Sequence, residues 1–112
     1  MNNKAKYDII IEALYKLTKE KLPVESRLAL YGSRARGDAR RDSDWDLHIV
    51  IPGEGEMTIE EISKWANPFE DLGWDFDEYF STMAYTSEGW KRRSFLPYYK
   101  NVEQDKIIIY GN

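Results

Sequence analysis

Two short apolar runs joined by a long polar segment constrain this chain more than any other feature. Arg27–Tyr31 (RLALY) alternates toward a strand that stops at Gly32, and Asp44–Ile51 (DWDLHIVI) reads as a second strand closed by Pro52 and Gly53. Between them, SRARGDARRDSD is turn-rich, has no core pattern and is too long for a hairpin turn. Any fold must therefore be built around two strands that meet across this loop.

The flanking elements follow from periodicity and punctuation. Tyr7, Ile10, Ile11, Leu14 and Leu17 recur at helical spacing, predicting an amphipathic helix over residues 4–20 that Pro23 ends. Thr58 with Glu61 forms a capping box, so a helix is expected from there to about Ala66, where Pro68 breaks it. A third strand is expected over roughly Phe76–Tyr85. A short helix follows, capped by Thr86 or Ser87 and carrying Trp90, Lys91, Arg92 and Arg93, and Lys106–Tyr110 forms a last strand. The chain shows no repeat, low-complexity tract or linker, and 112 residues suit one domain, 1–112. The expected class is α/β (α+β), a small mixed β-sheet with helices packed on it.

Composition removes several functions. Without cysteine there is no disulfide, thiolate metal site or cysteine nucleophile, and a single histidine, His48, argues against histidine-bound zinc. The net charge of −4 does not suit a broad electrostatic grip on nucleic acid. Arg34, Arg36, Arg40 and Arg41 nevertheless crowd one segment, and such a cluster calls for an anionic ligand or a structural use. No apolar run approaches a membrane span, and the N-terminus lacks a signal-peptide core, so a cytoplasmic location is expected. Aromatics reach 14%. Trp90, read as a surface helix end, is expected with Tyr98 and Tyr99 to form an exposed patch that a partner or a second copy covers.

The chemistry concentrates at the two strands. Residues two apart on a strand share a face, so Asp44 and Asp46 sit side by side, a costly arrangement unless a cation lies between them. Magnesium suits it, because this hard ion pairs one or two carboxylates with substrate phosphates. Gly32-Ser33, where a strand runs into a short turn of helix, offers N–H groups and a hydroxyl to an anion, and Gly37 closes that turn. His48 shares the face of the aspartates and is expected to be packed or hydrogen-bonded, while Trp45 on the opposite face belongs to the core.

Gly32-Ser33-Arg34-Ala35-Arg36-Gly37, five intervening residues, then Ser43-Asp44-Trp45-Asp46-Leu47 resembles the signature of the DNA polymerase β-like nucleotidyltransferase superfamily. The resemblance is strongest to its minimal nucleotidyltransferase branch, whose pattern is Gly-Ser-x-Ala-x-Gly followed by Ser-Asp-x-Asp-Leu. It implies an enzyme in which Gly32 and Ser33 contact the β- and γ-phosphates of a nucleoside triphosphate, ATP above all. Asp44 and Asp46 would hold Mg2+, Arg34 and Arg36 would assist as phosphate partners, and Ser43 would belong to the nucleotide-binding stretch, more as a turn cap than as a reacting group. The implied reaction is in-line attack on the α-phosphate with loss of pyrophosphate.

The same resemblance implies a third carboxylate on a later strand, about five residues before the Thr or Ser that opens the next helix. Counting back from Thr86 reaches Ser81, which is not an acid. Asp77, four residues earlier and on the same face by period two, is the best substitute and the expected third catalytic residue; Asp75 and Glu78 are weaker candidates. Members of this branch are often paired with a helical HEPN-domain protein as antitoxins. The alternative reading is therefore a catalytically weak nucleotidyltransferase-like subunit that binds such a partner.

Overall fold

The computed structural model describes residues 3–112. Asn3–Lys21 forms helix α1, whose buried stripe is Ile10, Leu14 and Thr18, and the Thr18 hydroxyl is satisfied by donating to the Leu14 carbonyl at 2.8 Å. Four strands follow: β1 (Arg27–Tyr31), β2 (Trp45–Ile51), β3 (Phe80–Thr86) and β4 (Ile107–Tyr110). They form one sheet in the order β3-β2-β1-β4, with β1 antiparallel to both β2 and β4, and β2 parallel to β3. A parallel pair needs a crossover. Helix α3 (Ile59–Asp75) supplies it.

The sheet separates two environments. Leu28, Leu30, Trp45, Leu47, Ile49, Phe80 and Ala84 turn toward α1 and α3 and form the core with Ile10, Leu14 and Phe69. Burying this many large apolar side chains, at about 25 cal/mol per Å2 removed from water, is what holds so small a domain. The opposite face carries Tyr31, Asp46, His48 and Tyr85, and two short helices, α4 (Ser87–Lys91) and α5 (Pro97–Asp105), lie against part of it. The remaining helix, α2 (Ser33–Arg36), is a single turn between β1 and the polar loop.

Three expectations need correction. Pro68 does not end the capping-box helix, which runs on to Asp75. Proline removes one intrahelical hydrogen bond and crowds the preceding turn, but Phe69 and Gly73 bury completely or nearly so beyond it, and that burial holds the helix together. The third strand starts at Phe80 rather than Phe76: Phe76 and Asp77 form a turn, with Asp77 at φ 56° and its N–H donating to the Trp74 carbonyl at 3.1 Å. The third correction concerns Trp90, which is 4% exposed and not a surface helix end. Its ring lies 4.0 Å from His48 and 4.7 Å from Tyr99, and its Nε1–H donates to Glu103 at 2.8 Å. The expected exposed patch of Trp90, Tyr98 and Tyr99 is thus largely an internal cluster. Helix α5, which periodicity did not reveal, starts with Pro97 at its first position, a favoured site for proline, and packs through Val102.

His48 is fully buried under this cluster, as its packed reading required. Its Nδ1 lies 3.3 Å from an Arg27 nitrogen, and Arg27 in turn donates to Glu103 at 2.9 Å. Burial, assisted by the Arg27 charge, lowers the imidazole to about 3, so it is neutral at physiological pH. Burial works to raise Glu103, but hydrogen bonds from Arg27, Lys106 and Trp90 outweigh it and hold the carboxyl at about 2.

Candidate active site

The site forms where β1 ends, β2 begins and β3 begins. Register places Tyr31 opposite Asp46 on one side and Ser81 opposite Asp46 on the other, so these residues form one rung across the sheet. At the end of this rung the chain leaves β1 through Gly32, with φ 73° and ψ −157°, a conformation essentially reserved for glycine. A Cβ built there would stand 2.3 Å from the Asp46 Oδ2, so the backbone of Gly32 lies directly against that carboxylate. The Gly32 carbonyl accepts from Ala35 and Arg36 at 3.0 Å each, and Gly37, at φ 88°, closes the turn by donating to Ser33 at 3.0 Å. With four residues α2 has little dipole. What it offers an anion is the unbonded N–H groups that begin any helix, together with the Ser33 hydroxyl.

Asp44 stands one residue ahead of β2 and is exposed, whereas Asp46 is half-buried within the strand. Burial raises the Asp46 carboxyl, the Asp44 charge raises it further, and Arg36 partly counters both. Such a pair is electrostatically short of a cation. Two carboxylates, one desolvated and one open to solvent, suit magnesium, which keeps part of its shell for phosphate oxygens and water. Among the described residues no cluster of three or more carboxylate or imidazole ligands completes the pair. The position beside Asp46 on β3 is held by the Ser81 hydroxyl side chain.

The other predicted residues separate. Arg34 holds the loop: its guanidinium donates to the Ser43 carbonyl at 2.9 and 3.3 Å and to the Arg41 carbonyl at 3.1 Å, and lies 5.5 Å from the Trp45 ring. Ser43 acts as the expected turn cap, its hydroxyl accepting from the Arg40 N–H at 2.8 Å. Arg36 reaches Asp105 on α5 at 2.8 Å and Asp38 at 3.3 Å, which ties the turn to the far helix. Asp77, in its turn ahead of β3, does not share a strand face with Ser81, contrary to the period-two expectation. Asp75 ends α3, and Glu78 pairs with Lys6 and lies 3.6 Å from Arg34.

Sequence reasoning missed Tyr31, and placed Tyr98 in an exposed patch rather than beside the site. Their hydroxyls share a hydrogen bond at 3.0 Å, and burial, more than the nearby Asp46, raises the Tyr31 phenol. Tyr31 was within reach of period-two counting from Asp46 through the strand pairing. Nothing local marks Tyr98, which arrives from α5.

The model of the nucleotidyltransferase domain family matches residues 11–109. The chain belongs to that family. No curated protein matches it. Among solved structures, a toxin–antitoxin structure with AMP-PNP is similar at 17% identity and TM-score 0.65, covering 91% of this chain and 73% of that one. A mutant of the toxin–antitoxin pair MntA–HpeT, with two aspartates changed to glutamate, is similar at 14% identity and TM-score 0.63, over the same shares. A candidate nucleotidyltransferase from Sulfolobus solfataricus gives 21% identity and TM-score 0.64, covering 96% of this chain and 86% of the other. At these identities the likeness is one of fold, a mixed four-stranded sheet with helices on it. No helix among the described residues is long and apolar enough to cross a membrane.

Proposed function

We propose that this nucleotidyltransferase-family protein moves a nucleoside monophosphate, AMP from ATP, to an acceptor hydroxyl in a magnesium-dependent reaction, with a protein partner as acceptor. The observation that carries the reading is the contact of Gly32 with Asp46. A side-chain-free, N–H-rich turn lies against a half-buried carboxylate, with a second carboxylate two residues away.

In this reading Gly32 and Ser33 receive the β- and γ-phosphates, and Asp44 and Asp46 hold Mg2+. When bound, the ion neutralises phosphate charge and favours departure of pyrophosphate. Arg36, close enough to influence Asp46, would reach a phosphate only by leaving Asp105 and Asp38. The acceptor oxygen attacks the α-phosphorus, the bond to the bridging oxygen breaks, and the acceptor proton must leave. With Asp44 and Asp46 given to the ion, that proton passes to solvent past the strand position beside Asp46. Ser81 beside it is no base at neutral pH, so transfer is slow.

That same serine favours a second reading, a nucleotide-binding subunit that neutralises a HEPN-domain partner with little or no turnover. The toxin–antitoxin context of two structural neighbours supports either form. The test is calorimetric titration of a non-hydrolysable ATP analogue with and without magnesium, followed by transfer of label from α-labelled ATP. Equal affinity with and without the metal refutes the two-aspartate site. Metal-dependent binding without transfer to protein selects the binding-subunit reading. Abolition of transfer by Asp77→Ala, with Ser81→Asp inert, would return the third catalytic role to Asp77.

A further inference from the structure

The arginine cluster divides in the folded chain. Arg34 is consumed by loop carbonyls and Arg36 turns to Asp105, but Arg40 and Arg41 line a groove of about 920 Å3 between the loop and the start of α1, where Lys4 and Lys6 form the opposite wall. Among the described residues Glu78 is the one acid lining it, and it is already paired with Lys6. Among the described residues Lys4, Arg40 and Arg41 have no carboxylate within 4.0 Å. A chain of net charge −4 thus gathers three unpaired cations in one concavity.

We propose that this groove docks an acidic segment of a partner polypeptide. Like charges left facing one another without counter-charge are costly, and carboxylates fit guanidinium forks in pairs. Ile107, 39% exposed at the groove edge, adds one apolar contact. A nucleic-acid strand fits less well, because single-strand grooves combine basic side chains with open rings on which bases stack. The groove's tryptophan is closed to stacking: Trp45 is 2% exposed, with Arg34 over one side and Tyr7 packed at 5.4 Å. Only three positions separate Arg41 from Asp44, so a segment seated here lies beside the candidate active site. The inference deepens the protein-partner reading above, but the binding it describes needs neither nucleotide nor turnover.

The test measures anisotropy of labelled poly-L-glutamate and of labelled oligothymidylate with the full chain at low salt. Poly-L-glutamate is expected to bind, to weaken with salt, and to lose about tenfold or more in affinity in Arg40→Glu/Arg41→Glu. Lys4→Glu, on the opposite wall, should weaken it in the same direction and carries the test if the double variant does not fold. Lys19→Glu/Lys21→Glu, at the other end of α1, should leave it within about twofold. Poly-L-glutamate binding that is absent, or that survives both groove variants, overturns the proposal. So does tighter binding of oligothymidylate that the groove variants abolish. If Mg-ATP analogue binding fails in the unmodified chain while poly-L-glutamate binding follows this pattern, the nucleotidyl-transfer reading falls and the groove stands.

Discussion

Replacing Gly32 by alanine tests the centre of the site through two separable effects. Its dihedrals, φ 73° and ψ −157°, lie in a region that only glycine populates freely, and holding alanine there costs roughly 1–3 kcal/mol. The new methyl would also start 2.3 Å from Asp46 Oδ2, so either the turn or the carboxylate must shift. The near atoms belong to a side chain, which gives way more readily than backbone. The strain should therefore appear in stability and the displacement in binding. For a domain near 100 residues the strain corresponds to a fall in Tm of roughly 4–12 °C. Gly37→Ala is the matched control: Gly37 has φ 88°, but its Cβ would meet nothing within 4 Å. It should lose stability by roughly 1–2 kcal/mol from backbone strain alone, and keep magnesium-dependent binding of the ATP analogue. Thermal unfolding followed by titration calorimetry of both variants decides the matter. Equal analogue affinity in Gly32→Ala and Gly37→Ala would refute the contact between the turn and Asp46 as the basis of the site.

Asp44→Asn with Asp46→Asn should abolish metal dependence and, without metal, hold or raise the Tm. The folded-state carboxyl of Asp46 is raised, so ionising it opposes folding as pH rises, and the amide removes that opposition; a large loss of stability would mark the pair as structural. Ser81→Asp should speed label transfer from ATP by completing a carboxylate set beside Asp46, read as a higher initial rate at unchanged fold. Trp90→Ala should cost about 3–5 kcal/mol in urea unfolding, because a buried ring that anchors His48, Tyr85 and Tyr99 is lost; a cost below that of an exposed-site control such as Phe95→Ala would contradict its burial. For His48, at about 3 when folded and near 6.5 when unfolded, the unfolded chain binds more protons between those values. Stability should therefore rise with pH across that window, and His48→Gln should flatten the rise when both are compared in an Asp46→Asn background. An equally steep rise without the histidine would refute its neutral burial.

How much of this was legible before folding depends on the range of the forces involved. The two strands, the glycine turn, the aspartate pair and the capping box are local patterns: period-two alternation, a positive-φ requirement and a reciprocal hydrogen bond all act over a few residues, so they can be read in order along the chain. The likeness of residues 32–47 to a nucleotidyltransferase signature is of the same kind, and the family match over residues 11–109 agrees with it. Tertiary structure decided what depends on contacts between distant segments. Helix α3 passes through Pro68 because burial of Phe69 and Gly73 on the far side exceeds the cost of one missing hydrogen bond. The arginines, alike in sequence, part because Arg34 meets carbonyls of its own loop while Arg36 meets Asp105 from α5. Trp90 is interior because α4 folds back over His48, a packing that no local spacing encodes. Ser81 stands beside Asp46, where counting back from Thr86 put it, but that Asp77 leaves the strand in a turn at φ 56° was decided by how α3 packs into β3, not by local alternation.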